Sequence, residues 1–321
     1  QLKILTSTYS CVVTNPPYKD KADLNDELKN FMENNYSISK QDLFSCFIER
    51  CINLTKGDGI TSMITLQNWM FLDNFINLRE HIIKNYQISN FLHIGYNTFP
   101  ELNSKFALGA SFSIFKKKPN NNAIFYNLND VGKSEDKEQV FFKKLHKKFH
   151  NTNQLNFLNL PKYAMAYSIT NSEAKHFNNN NFLNSITTVH EGLKTRDNDN
   201  FLRLWFEINQ RDYNLNWMKY SKGGEFRKWY GNHDYVLKWH NDGKEIKCFK
   251  KASGVNFPHY FTDALIFKSI GYDFATLYTN DSIFGGGGSG ITNIQKDLLY
   301  YLSALTNTKL SLKFLNHLSE T

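Results

Sequence analysis

The sequence predicts an α/β sheet domain followed by a second, α+β unit. Three observations predict it. Short apolar runs alternate with amphipathic helical repeats as far as Phe115, the pattern of strand–helix–strand units. One such run, Cys11 to Val13, stops at Pro16 and Pro17, because proline lacks the N–H for the next ladder bond and restrains the residue before it. Composition then turns polar and charge-rich between about Asn120 and Leu160, as a linker does. The expected division is 1–125 as the sheet domain, 126–160 as linker and 161–321 as the second domain.

At 321 residues the chain is long enough for two cores. A net charge of +8 favours a polyanionic partner, and 15 % aromatic residues, several beside Lys, Arg and Asn, suit base stacking as well as packing. The four cysteines (Cys11, Cys46, Cys51, Cys248) have no Cys-x-x-Cys spacing and no nearby histidine pattern, so reduced thiols in a cytosolic protein are expected, with no metal site. No apolar run reaches the length of a membrane span and no signal peptide is visible.

Taken in order, Cys11 to Val13 is a buried strand whose carboxyl end is the stiff loop Asn15-Pro16-Pro17-Tyr18, where open α/β sheets place their chemistry. Lys19 to Lys40 is polar and reads as a lid or substrate loop. From Gln41, the spacing of Phe44, Phe47, Ile48 and Cys51 predicts a helix, closed by Lys56-Gly57. Ile60 to Leu66 is a strand. Phe75, Leu78, Ile82 and Ile83 mark a second helix, Phe91 to Ile94 a strand, and Ala107 to Phe115 another, stopped by Lys116-Lys117-Lys118. Phe141 to Phe149, with Lys143, Lys144, Lys147 and Lys148, predicts a basic amphipathic helix. Asn178 to Asn181 is a low-complexity loop tip.

The loop at Asn15 suits methyl transfer to an exocyclic amine of a flipped base. That amine's lone pair is delocalised into the ring. The Asn15 side-chain oxygen and the Pro16 carbonyl could accept its N–H groups and localise the pair, while Tyr18 offers a stacking face. Asn-Pro-Pro-Tyr is the signature of the N6-adenine DNA methyltransferases, and the chain resembles them. The resemblance implies that the helix from Gln41 borders cofactor and base, with Asp42 and Phe44 as cofactor-side residues. It also implies that Gly95-Tyr96-Asn97-Thr98-Phe99-Pro100 is the late motif whose aromatic, here Phe99, packs against the adenine.

In the second half, His190 to Glu207 and Lys222 to Asn232 resemble the target-recognition half of the BREX phage-defence adenine methyltransferases, the PglX-like proteins, and more distantly the type IIG restriction–methylation enzymes. Lys194-Thr195-Arg196 departs from the small residue or glycine that the broader family often has there. As DNA-reading loops, these blocks offer Lys194, Arg196 and Asn198, then Lys222 and Lys228 for phosphates, Arg227 for guanine, and Trp229 and Tyr230 to stack or wedge. A small β domain would use Trp229 and Tyr230 as core equally well. The glycine run Gly285 to Gly290 mimics a phosphate loop but reads as a flexible surface loop, since no strand with an acidic ribose ligand follows it. Asp234 with Glu245 and Lys247 faintly resembles a nuclease site; Asn241-Asp242-Gly243 reads instead as a hairpin turn.

The resemblance thus implies the C-terminal half of a Rossmann-like, S-adenosyl-L-methionine (AdoMet)-dependent methyltransferase sheet, joined to an α+β target-recognition domain. Expected partners are double-stranded DNA and other defence-system proteins, in a bacterial cytoplasm. With Gln1 first and no glycine-rich loop before the strand, the chain reads as a piece of something longer, lacking the main AdoMet motif and turning over little by itself. The alternatives are a non-catalytic DNA-binding or target-recognition module and a part of a type IIG enzyme.

Overall fold

A computed structural model describes residues 4, 6–99, 108–129, 131, 136–144, 149–177, 182–254, 258–268, 271 and 273–318. The chain divides into two compact units: Gln1–Asn179 with His317–Glu320, and Asn180–Asn316 with Thr321.

The first unit is built on a six-stranded sheet in the order β1-β2-β4-β3-β5-β6. Its strands are β1 (Tyr9–Thr14), β2 (Thr55–Leu66), β3 (Gln87–Gly95), β4 (Gly109–Phe115), β5 (Ala123–Asn127) and β6 (Phe149–Thr152). β1 runs parallel to β2 and β3 to β5, whereas β4 is antiparallel to both of its neighbours. The parallel β1–β2 pair needs a crossover, supplied by α1 (Asp26–Asn35) and α2 (Leu43–Leu54). Asp42 starts α2 as its N-cap in a capping box with Ser45, and Phe44, Ile48, Cys51 and Ile52 form the buried stripe. After β2, α3 (Ile76–Asn85) buries Leu78, Ile82 and Ile83.

The segment expected to be a lid therefore contains a helix, α1, whose Met32 packs with Leu24 and Cys46 in a satellite cluster. A larger correction concerns the expected 126–160 linker. Phe112, Phe91 and Phe125 stack across β4, β3 and β5 at 5.5 and 5.6 Å, and Tyr167 extends the stack at 5.0 Å. Gln154, fully buried, accepts from Ile88 N at 2.8 Å and donates to the carbonyls of Ile83 and Tyr86. Residues 149–177 thus complete the first core instead of leaving it. Their apolar side chains are spaced among Asn and Lys, so composition resembles a linker while every few residues one ring enters the core. α4 (Lys137–Lys144) covers only the start of the basic helix expected over Phe141 to Phe149, and Phe149 opens β6 instead; Lys147 and Lys148 lie outside the described residues, as do Asn178 to Asn181.

The second unit holds two four-stranded sheets, β13-β9-β10-β8 and β12-β11-β14-β7. The strands are β7 (Thr188–Glu191), β8 (Leu202–Leu204), β9 (Trp217–Ser221), β10 (Tyr235–Lys238), β11 (Ala264–Lys268), β12 (Thr276–Thr279), β13 (Ile283–Phe284) and β14 (Gly288–Thr292). Helices α5 (His240–Cys248) and α6 (Lys296–Thr306) accompany them.

Two expectations are overturned here. The glycine run is no flexible loop: it leaves β13, turns, and enters β14, linking the two sheets. Gly285 N donates to Ser221 O and Gly286 N to Leu193 O, both at 2.7 Å. Side chains are excluded from it, since a Cβ at Gly285 would meet the Tyr220 hydroxyl at 2.5 Å and one at Gly287 the Lys222 carbonyl at 2.9 Å; facing the run, a Cβ at Gly192 would meet Gly285 O at 2.2 Å. Nor is Asn241-Asp242-Gly243 a hairpin turn. All three take positive φ (50°, 55° and 68°) at the start of α5, where a glycine costs least. Lys247 of the nuclease-like set pairs with Asp242, and Glu245 pairs with Lys238, so these two members are engaged in ion pairs. Among the described residues no group of His, Cys, Asp and Glu could hold a metal ion, and no helix is long and apolar enough to cross a membrane.

Candidate functional site

Strand register decides which loops share an edge of the first sheet. Thr14 of β1 lies beside Met63 of β2, Leu66 of β2 beside Gly109 of β4, and Gly95 of β3 beside the same Gly109. The carboxyl ends of β1, β2 and β3 therefore emerge together. They deliver Asn15 to Tyr18, the segment after Leu66, and the turn Gly95 to Phe99.

Pro16 is buried and anchors the first loop, while Asn15 and Pro17 are exposed. The Tyr18 hydroxyl donates to Asn15 Oδ1 at 3.0 Å and lies 3.4 Å from the Ile64 carbonyl. Burial pushes the Tyr18 phenol up to about 12, so it stays protonated and able to donate through neutral pH. In this bond the Asn15 carboxamide presents its oxygen to the hydroxyl. One acceptor site of that oxygen is used, and a carbonyl oxygen has a second for an incoming N–H.

The Tyr18 ring stands edge-on to Phe44 (6.3 Å, 83°) and against Phe99 (5.6 Å, tilted 53°). Tyr18 and Phe99 thus make a corner, not a parallel slot. A planar ring stacked on Tyr18 would meet Phe99 at its rim. Asp42 and Phe44 are placed differently from Phe99. The Asp42 carboxylate accepts from Phe44 N (3.0 Å) and Lys19 N (3.2 Å), and burial raises its pKa. Phe44 is 1 % exposed, a core ring beneath Tyr18.

Two buried polar groups hold the neighbouring segments. Arg79 donates to the carbonyls of Trp69 (2.9 Å), Leu72 (2.6 Å) and Lys162 (2.8 Å), and so pins the stretch after β2; burial pulls its guanidinium down to about 10. His93 bonds Gln67 Oε1 through Nε2 and the Tyr167 hydroxyl through Nδ1, each at 2.8 Å. Burial, and secondarily the charge of Lys137, pull this imidazole down to about 4, so it is neutral.

In the second unit the glycine link draws the two sequence blocks together. A Cβ at Gly286 would strike the Lys194 stem, and one at Gly287 would lie 2.9 Å from Lys222 O. Around this junction a cavity of about 130 Å³ is lined by Gly223, Gly224, Phe226, Arg227, Lys268 and Phe284. Lys194 pairs with Glu191, Arg196 sits at φ 56°, and Asn198 Oδ1 accepts from Thr195. Lys222 Nζ lies 4.3 Å from the Tyr235 ring centroid. Lys228 Nζ donates to the Asn307 carbonyl (2.8 Å) at the end of α6, a helix-terminal cation. Trp229 exchanges backbone bonds with Thr276 and Tyr278 and Tyr230 meets His233 at 4.5 Å; both rings remain exposed, at 51 % and 68 %. Sequence reasoning missed the Tyr18–Asn15 bond, the Thr98 and Lys137 contacts described below, and the junction role of the glycines. Only the glycine run left a signal in the sequence.

Residues 3–99, which carry this loop set, match the Eco57I restriction-modification methylase family. Nearly the whole chain is similar to part of two adenine-specific methyltransferases. It is 31 % identical to the adenine-specific methyltransferase PglX of Lacticaseibacillus casei (strain Zhang), over 99 % of this chain and 29 % of that protein. It is 30 % identical to the adenine-specific methyltransferase BrxX of Escherichia coli O9:H4 (strain HS), over 96 % of this chain and 26 % of that protein. The resemblance to PglX-like proteins is thereby borne out, while the chain spans under a third of the length of these relatives. Among solved structures, a nuclease-deletion mutant of the type ISP restriction-modification enzyme LlaGI, in complex with a DNA substrate mimic, is similar in fold. Its TM-score is 0.55 at 12 % identity, covering 98 % of this chain and 33 % of that one.

Proposed function

We propose that this chain supplies the amine-binding and target-reading parts of a site-specific DNA adenine-N6 methyltransferase of the phage-defence (BREX-like) kind. The observation that supports it best is the Asn15 carboxamide, held by the Tyr18 hydroxyl at 3.0 Å on the sheet edge that also presents Phe99. In this reading Asn15 Oδ1 and the Pro16 carbonyl accept the two N–H groups of an extruded adenine amine, and Tyr18 stacks on the base. Holding both hydrogens on these acceptors favours a pyramidal nitrogen, which weakens the lone pair's conjugation with the ring and localises it for attack on the methyl carbon. Preorganised acceptors achieve this without reorganising at the moment of transfer.

The methyl donor is AdoMet, whose sulfonium supplies an activated methyl group. Asp42 and Phe44 do not fit a nucleoside, because the carboxylate caps α2 and the ring is sealed in the core. No donor contact is therefore assigned to them. The second unit is read as the target-recognition domain. Support comes from a net charge of +8, the exposed Trp229 and Tyr230, and Lys194, Arg196, Asn198, Lys222, Arg227 and Lys228 on the two blocks that meet at the glycine junction.

The test is methyl incorporation into duplex DNA by the full-length gene product, wild type against Asn15→Ala, with DNA affinity measured in parallel. We expect methylation to fall by roughly 10²–10³-fold with binding little changed. Undiminished methylation in Asn15→Ala would sink the reading. A wild-type protein that binds DNA and methylates nothing would establish the binding-module alternative instead.

A further inference from the structure

The turn that presents Phe99 is held by a cation whose role nothing above assigns. Lys137, on α4, donates through Nζ to the carbonyls of Ile94 and Tyr96, on either side of Gly95. These carbonyls stand at the end of β3, where the ladder has run out of partners and the turn begins. Thr98 reinforces the turn from within: its Oγ1 donates to Gly95 O at 2.7 Å and accepts from Gly109 N at 3.1 Å. Gly95 itself takes φ 70°, and a Cβ there would fall 1.9 Å from Asn129 Oδ1, so Asn129 closes the turn's other side. The outcome is the Phe99 ring set 5.6 Å from Tyr18.

We propose that Lys137 is a positioning residue of the base pocket: its ammonium ties the Ile94 and Tyr96 carbonyls together and so fixes the corner that Phe99 makes with Tyr18. The proposal rests on the reading of that corner as the place where the base docks. Charge-assisted bonds to carbonyls are the stronger kind. An ammonium set between the carbonyls that flank Gly95 stops them from repelling each other and from opening the turn. Lys137 is half-buried and burial lowers its pKa, so its partners are the carbonyls and not bulk water.

The experiment uses Lys137→Met, which keeps the stem and removes the donors, in the full-length gene product, with Lys137→Gln, which removes the charge and shortens the reach, as a second variant. Amide exchange at Gly109 reports the clamp directly, because its N–H is bonded to Thr98 Oγ1. We expect faster exchange at Gly109 and over 95–99, unchanged exchange in β1 and β2, and a kcat for DNA methylation lower by roughly 10- to 100-fold with KM for DNA within about 2-fold. If Lys137→Met fails to fold, the same local signature in Lys137→Gln decides. Unaltered exchange in the turn, or exchange raised throughout the first unit, overturns the proposal; so does a full kcat in the presence of a loosened turn. A wild-type protein without methylation would instead sink the function proposed above, and the exchange arm would still decide whether Lys137 holds the turn.

Discussion

Replacing Tyr18 by phenylalanine separates the two tasks assigned to that residue. The ring, its edge contact with Phe44 and its corner with Phe99 survive; the hydroxyl that donates to Asn15 Oδ1 at 3.0 Å is lost. The second contact, to Ile64 O at 3.4 Å, is at the limit of a hydrogen bond and contributes little. One neutral hydrogen bond is worth about 0.5–1.5 kcal/mol net. If that energy holds the carboxamide with its oxygen toward the incoming amine, Tyr18→Phe lowers the properly oriented fraction and kcat by roughly 2- to 12-fold. Tyr18→Ala also removes the stacking face, worth about 1–3 kcal/mol per base, and falls a further ~5- to 150-fold. The assay is single-turnover methyl transfer to duplex DNA by the full-length gene product, with saturating donor and DNA. A Tyr18→Phe rate equal to wild type, or as low as Tyr18→Ala, refutes the orienting role of the hydroxyl.

Other outcomes follow from buried groups and close approaches. His93 is held neutral in the fold at pH values where an unfolded chain protonates it. Its stabilising contribution is therefore complete above about pH 6.5 and is lost as pH falls toward 4, on the order of 3 kcal/mol over that window. Denaturant titrations at pH 7, 5.5 and 4.5 should show this slope, and His93→Gln should flatten it. Gly192→Ala places a methyl 2.2 Å from the Gly285 carbonyl and should destabilise the second unit by about 3 kcal/mol or more. Gly57→Ala meets nothing within 4 Å and should leave stability nearly unchanged; equal midpoints for the two variants would contradict the junction described here.

The chain's chemistry was legible wherever it rests on contiguous residues. Pro16 and Pro17 end a strand wherever they occur, and helical spacing in Phe44, Ile48 and Cys51 buries one stripe whatever it packs against. The Asn15 loop, α2 and the strands β1 to β4 could accordingly be read from local pattern, as could the α/β class, but β5 and β6 could not, and β1, expected to be buried, is an exposed edge strand. Phe99 was nameable only through resemblance to a family. What the sequence could not disclose depends on groups distant along the chain. Gln154 fills three bonds offered by residues 66–71 positions earlier, which turned an apparent linker into core. Lys137 reaches carbonyls about forty residues back, and the glycines of 285–290 have no room for a side chain because Tyr220, Lys194 and Phe284 side chains and the Lys222 and Phe267 carbonyls crowd them. A hydrogen bond or a close approach is a property of two places at once. Local composition states what each place can offer, and only the folded register decides which offers meet.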